Sequence, residues 1–197
     1  MYSPFTKCIE EVVGEHIHQA GSYVCDDTLR FDFNHFEKLT TKQLDEIEDL
    51  VNQYIAGAYP VTKEIMDIEE AKKSGATALF NEKYGDRVRV VTMGDVSKEF
   101  CAGCHVENTS QIGLCKIISE ESIGSDARRI VAKTGYQAYK ECASEKNMLE
   151  NIAISAKQKG IKNIDTKVDA AYQNMHALQK EIEQLKNQIF ALKSNEW

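Results

Sequence analysis

At 197 residues the chain has room for one ordinary domain, or for one domain with an appendage. Hydrophobic residues make up 42% and charged residues 28%, and a formal charge of −7 excludes any general attraction to nucleic acid, so RNA contact requires a local basic patch. No apolar run approaches the ~20 residues that span a bilayer, and the opening seven residues lack the apolar stretch of a targeting segment. Six irregularly spaced cysteines fit a reducing, cytoplasmic chain better than a disulfide framework.

Taken in order, residues 8–13 read as the tail of an amphipathic helix stopped by Gly14. A turn leads into a strand ending near Val24, and residues 29–35 form a second strand. Leu29, Phe31 and Phe33 lie on one of its faces, and Arg30, Asp32 and Asn34 on the other. That polar row is either a cross-strand ion pair or the lining of a pocket. A capping hydroxyl at Thr40 or Thr41 starts a helix with apolar positions Leu44, Ile47, Leu50, Val51 and Ile55, ended by Gly57 and Pro60. Residues 61–66 read as a strand, 68–73 as a short helix, and 87–93 as a strand. Residues 112–118 and 128–133 make a further strand pair.

Strands and helices alternate without a regular βαβ rhythm, so the expected class is α+β with a largely antiparallel sheet and packed helices. Residues 1–135 form this head. Residues 136–197 form a helical arm, broken near Gly160, read as a helical hairpin or coiled coil. Val168, Ala171, Met175, Leu178, Ile182, Leu185, Ile189 and Leu192 occupy its a and d positions. The 29 residues from 165 to 193 would span roughly 43 Å as one helix. Such a seam must be buried, on the preceding helix, on a second copy in a homodimer, or on both.

The densest chemistry is Cys101-Ala-Gly-Cys-His105. Two thiols and an imidazole at this spacing can face one metal ion from a single turn. The same letters are formally a haem-attachment pattern, which requires export and is set aside, and they contain a redox dithiol pair. A purely structural turn is the remaining reading.

The segments from Gly14 to Val24, Leu29 to Phe36, Cys101 to Val106 and Ile112 to Ile117, with residues 69–85, 127–130 and 134–135, resemble the editing half of bacterial alanyl-tRNA synthetases. The resemblance covers residues 8–135, and the helical arm in kind; threonyl-tRNA synthetase editing domains are a weaker match. It implies hydrolysis of mischarged seryl- or glycyl-tRNA(Ala) by a zinc-dependent domain whose parent, with ATP, attaches alanine to tRNA(Ala). Family zinc is held by an H-x-x-x-H helix and a C-x-x-x-H turn. Cys101 and His105 supply the second half, and Cys104 adds a thiol. The first half should lie just upstream of residue 5, where the chain has Met1-Tyr2-Ser3-Pro4, so the expectation is an N-terminally truncated head with an incomplete metal site.

The resemblance also makes Gln19 and Thr109 the catalytic candidates, one to position substrate or water and the other to recognise the serine hydroxyl. Gly21, Ser22, Arg30, Asp32 and Asn108 would shape the pocket, and Arg128, Arg129 and Lys133 would contact the tRNA acceptor end. Each has a plain structural role as its rival. The aminoacylation core is not part of this sequence, so whether the piece is itself an enzyme stays open. Two rivals to an editing fragment are a non-catalytic tRNA-binding or dimerising module and a free-standing trans-editing deacylase. No membrane partner is expected.

Overall fold

The computed structural model describes residues 2–77 and 85–194. Residues 78–84 of the family-like 69–85 stretch, Met1, and the 195–197 end of the arm lie outside the described residues. The chain divides into two compact units, residues 1–141 and 142–197.

In the first unit α1 (Tyr2–Val13) is followed by β1 (Gln19–Val24), β2 (Leu29–Asn34), α2 (Thr41–Ala56), β3 (Val61–Asp67) and α3 (Ile68–Lys73). Then come β4 (Arg87–Met93), β5 (Ser97–Phe100), a 3-10 turn (Thr109–Ile112), β6 (Cys115–Ser122) and β7 (Ala127–Thr134). Helix α4 (Gly135–Ser155) runs on into the second unit, which also holds α5 (Ile164–Ser194). The class is α+β, as expected. Instead of one sheet, however, the described strands make two antiparallel sheets, ordered β1-β2-β7-β6 and β3-β4-β5. Strand β5, four residues of mixed polarity, leaves too short an alternating pattern to be read in sequence.

The apolar row read on β2 carries the larger core. Leu29, Phe31 and Phe33 are at most 2% exposed. They pack with Phe5, Cys8 and Ile9 of α1, Ile47, Val51 and Ile55 of α2, and Ile130 and Ala132 of β7. Helix α2 begins as its sequence asks: the Thr40 hydroxyl accepts from the Gln43 amide at 3.2 Å, and the Gln43 side chain accepts from the Thr40 amide at 3.0 Å. The β3-β4-β5 sheet has its own smaller core, built from Val88, Val90, Phe100 and Ala71.

Strand β6 lies at the edge of its sheet, where unpaired backbone groups need partners. Helix α2 supplies them. The Asn52 amide donates to the Cys115 carbonyl at 2.8 Å and its oxygen accepts from the Cys115 N–H at 2.9 Å, as a neighbouring strand would. Glu48 accepts from the Ile117 N–H at 2.6 Å and pairs with Lys116 at 3.3 Å. Burial pushes the Cys115 thiol up to about 12, and that of Cys8 likewise, so both behave as small apolar side chains.

In the second unit the expected hairpin packing of the seam is not seen among the described residues. From Val168 to Leu192 the large a and d side chains are 40–69% exposed.

Replacing Asn52 by Ala strips two partners from the edge of β6. The expected loss is about 1–3 kcal/mol in urea unfolding followed by circular dichroism; an unchanged midpoint would show that water serves that edge as well.

Candidate functional site

The chain between β5 and β6 belongs to no ladder, and it carries the Cys-x-x-Cys-His motif. Its backbone is held from three sides. Arg89 of β4 donates Nε to the Cys101 carbonyl at 2.8 Å and Nη2 to the Gly103 carbonyl, while the Cys101 N–H donates back to the Arg89 carbonyl at 3.1 Å. Lys63 of β3 donates to the His105 carbonyl at 3.0 Å. Farther on, the Val61 N–H donates to the Glu107 carbonyl at 2.9 Å. The two cations cross-link one turn to neighbouring strands.

Cys101, Gly103, Cys104 and His105 line a cavity of about 430 Å³, with Val24, Val106 and Ile112 as its apolar wall. This volume falls within the range that holds small ligands. His105 Nδ1 lies 2.9 Å from the Gly103 carbonyl, an oxygen that can only accept, so the proton sits on Nδ1 and Nε2 keeps its lone pair. Burial, above all, lowers the pKa of His105, and the nearby Arg89 and Lys63 charges act in the same direction. A neutral imidazole with a free Nε2 is the product.

Zinc is tested by the donors themselves. Cys101, Cys104 and His105 share the turn, and all three border the cavity. Yet among the described residues no group of three or more His, Cys, Asp or Glu side chains converges to hold a metal ion. The described donors therefore do not fit a closed zinc site, and no chemical step is derived through one. Both thiols are free.

The other candidates disperse. Gln19 stands at the far end of β1 from Val24, five residues or roughly 16 Å along the strand, and does not border the cavity. Its amide donates to the Ser22 hydroxyl at 2.9 Å across a bulge in the β1–β2 ladder. Asn34 fixes the approach to Gln19: its Nδ2 donates to the His16 carbonyl at 2.9 Å and its Oδ1 accepts from the His18 N–H. His16 Nε2 and His35 Nδ1 are 3.1 Å apart beside it, and burial lowers the pKa of His35.

The Thr109 hydroxyl is 1% exposed. It donates to the Tyr54 carbonyl at 2.8 Å and accepts from the Tyr59 N–H at 2.9 Å, so it ties the end of α2 to the 3-10 turn. Asn108 is engaged likewise, donating to the Ala58 carbonyl at 2.7 Å and capping the turn through the Ser110 N–H at 2.9 Å. Gly21 and Ser22 sit on β1 facing β2, and a Cβ at Gly21 would lie 3.6 Å from the Asp32 carboxylate.

The basic cluster expected to meet tRNA is ion-paired within the chain. Arg129 makes a two-point pair with Asp32, its direct cross-strand neighbour, at 2.7 and 2.8 Å. The nearly buried Arg128 pairs with Glu120 at 2.5 Å, and Lys133 with Glu141 at 2.6 Å. Asp32 also lies 4.0 Å from Arg30, whose guanidinium sits over the Tyr23 ring. The alternating charges on β2 and β7 are thus an ion-pair network, and each of the three cations already has its anion.

A family model described as "Threonyl and Alanyl tRNA synthetase second additional domain" matches residues 88–131, from β4 through the motif to β7. An alanine–tRNA ligase of Halalkalibacterium halodurans is 46% identical over 179 residues, covering 91% of this chain and 20% of the relative. Those of Lactobacillus helveticus and Streptococcus thermophilus are 46% and 48% identical over 95% and 93% of the chain. The chain is homologous to one segment of bacterial alanine–tRNA ligases. It spans about a fifth of the length of the curated relatives it matches.

Sequence reading missed Arg89 and Lys63. An arginine flanked by Val88 and Val90 in the middle of a strand was the one signal available for Arg89. Replacing Arg89 by Ala removes the fork that holds two carbonyls of the motif. Alkylation of Cys101 and Cys104 by iodoacetamide is expected to quicken several-fold with the circular dichroism spectrum unchanged; equal rates would mean that the turn holds its shape without Arg89.

Proposed function

We propose that this chain is an editing module of the alanine–tRNA ligase kind, which hydrolyses the ester joining serine or glycine to tRNA(Ala). The observation that carries this reading is the coincidence of the cavity with the family-matched segment. The Cys-x-x-Cys-His turn, the apolar wall and the neutral His105 all border one space of about 430 Å³, and residues 88–131 match the synthetase domain.

In this reading the aminoacyl end enters that space. Nε2 of His105, favoured in its unprotonated form by burial and left as the open ring nitrogen by the Nδ1 bond to Gly103, accepts a hydrogen bond from the attacking water. Nε2 takes a proton from the water as its oxygen adds to the ester carbonyl, and returns it to the ribose oxygen as the tetrahedral centre collapses and the ester C–O bond breaks. The products are the free amino acid and tRNA with its terminal hydroxyl restored. Alanine attachment belongs to the whole ligase and is proposed for that protein, not for this segment alone.

The test is release of labelled amino acid from Ser-, Gly- and Ala-tRNA(Ala). Serine and glycine esters are expected to be cleaved well above the buffer rate and alanine ester least. His105→Ala should lower serine release about 100-fold or more. Wild-type rates equal to buffer for all three esters would defeat the reading.

A second role is favoured by the exposed seam of α5. Ile182, Ile189 and Val168 at a, with Leu178, Leu185 and Leu192 at d, suit a two-stranded parallel coil. In that register Glu181 at g of one copy meets Lys186 at e of the other, whereas an antiparallel pairing of the same layers sets Glu181 against itself. Sedimentation should give a dimer that Leu185→Lys converts to monomer, and Met175→Cys should cross-link in register under oxidation. A monomeric wild type at micromolar concentration, or no cross-link, would reject this arrangement.

A further inference from the structure

The expected tRNA-binding cluster is neutralised by its own carboxylates, yet two cations elsewhere keep their charge. Lys63 and Arg89 are bonded to carbonyl oxygens of the motif turn, and neither forms an ion pair with a carboxylate among the described residues. A carbonyl fixes a cation in place without cancelling it. Lys63 retains two further N–H donors, and the Arg89 guanidinium retains donors beyond the two bonds described.

Their placement is fixed by the sheet. Ile65 of β3 is the direct partner of Arg89 on β4, and Val91 is that of Lys63, so the two cations are diagonal neighbours on one face. Such neighbours lie about 7–8 Å apart at the backbone, a separation that long side chains close onto one tetrahedral anion. Glu99 of β5, opposite Val91, shares that face; Val91 sets it off from Lys63, and it is a diagonal neighbour of Arg89. Both cations grip the turn that borders the cavity. In a chain of net charge −7 this is a local positive rim beside the cavity.

We propose that Lys63 and Arg89 seat a phosphodiester of a single-stranded RNA 3′ end, so that the terminal ribose and its ester reach into the cavity lined by Cys101 and His105. This rests on the editing reading of that cavity and names the group that guides substrate into it. Polyanion binding by free charge is sequence-independent and salt-sensitive, which supplies the test.

The experiment is fluorescence anisotropy with a labelled RNA hairpin ending in a four-nucleotide 3′ overhang, against the same hairpin blunt-ended, from 50 to 200 mM salt (both roughly within the range where counterion release is measured). Lys63→Gln keeps a donor for the His105 carbonyl but removes the charge. It is expected to weaken overhang binding about three- to tenfold at the lowest salt and to reduce the log–log salt slope by about 0.7. Lys63→Arg should restore both. Lys42→Gln, which removes one charge from an exposed α2 pair with Glu46, should change neither.

Lys63→Gln with wild-type affinity and slope overturns the proposal. So does equal, Lys63-dependent binding of the blunt hairpin, or Lys63-dependent binding of poly-glutamate in place of RNA. Lys63-dependent overhang binding without ester hydrolysis would uphold this inference while sinking catalysis. Ester hydrolysis indifferent to Lys63 would do the reverse.

Discussion

A stretch of chain outside any ladder must still satisfy its backbone, and the functional region of this protein is organised by that demand. Residues 101–113 join the two sheets, and several of their N–H and carbonyl groups are met from elements already in place. Arg89 and Lys63 take carbonyls at the start, the Val61 N–H takes that of Glu107 in the middle, and the Thr109 amide donates to the Tyr59 carbonyl at 3.0 Å near the end. At the close, Gly113 has φ +73, and a Cβ there would meet the Gly135 backbone at 3.1 Å. Glycine alone allows both that conformation and that approach. The turn bearing the thiols and imidazole is irregular in shape but not loose.

The same economy of polar groups gives residues that look chemical in sequence a structural task in the fold. Thr109 and Asn108 follow the motif directly, and hydroxyl and amide side chains suit substrate recognition. Those side chains also suit the capping of a 3-10 turn and of the last carbonyls of α2, and here the backbone claims them. Arg128, Arg129 and Lys133 stand close together on β7. Strands β2 and β6 and helix α4 place acids opposite or beside them, and an ion pair held at 2.7 and 2.8 Å, such as Arg129 with Asp32, leaves little field for a distant phosphate. Lys63 and Arg89 look ordinary in sequence, yet their bonds to neutral carbonyls leave their charge intact.

The α2–β6 seam shows how the head stays closed without a fifth strand. Asn52 and Glu48 are four residues apart on one helix, so both reach the same line of β6 backbone. The helix thereby blocks an edge that would otherwise be open to another chain. Its apolar face supplies Ile47, Val51 and Ile55 to the core at the same time. One helix serves as both lid and edge partner.

Much was determined by the sequence alone. Helix and strand spans follow from periodicity: the Leu29, Phe31 and Phe33 row, the Thr40 cap, the heptads of α5, and the motif between β5 and β6 all stand where their spacing puts them. The family likeness, too, was written in short ordered segments. Periodicity, however, describes a residue's own element and says nothing of what lies across from it. The split into two sheets, the pairing of each β7 cation, the helix sealing β6, and the grip of Arg89 and Lys63 on the motif turn all depend on residues 8 to 97 positions apart in the chain. Only tertiary structure brings those residues within hydrogen-bond distance, so only it decides which polar side chains remain available to a substrate.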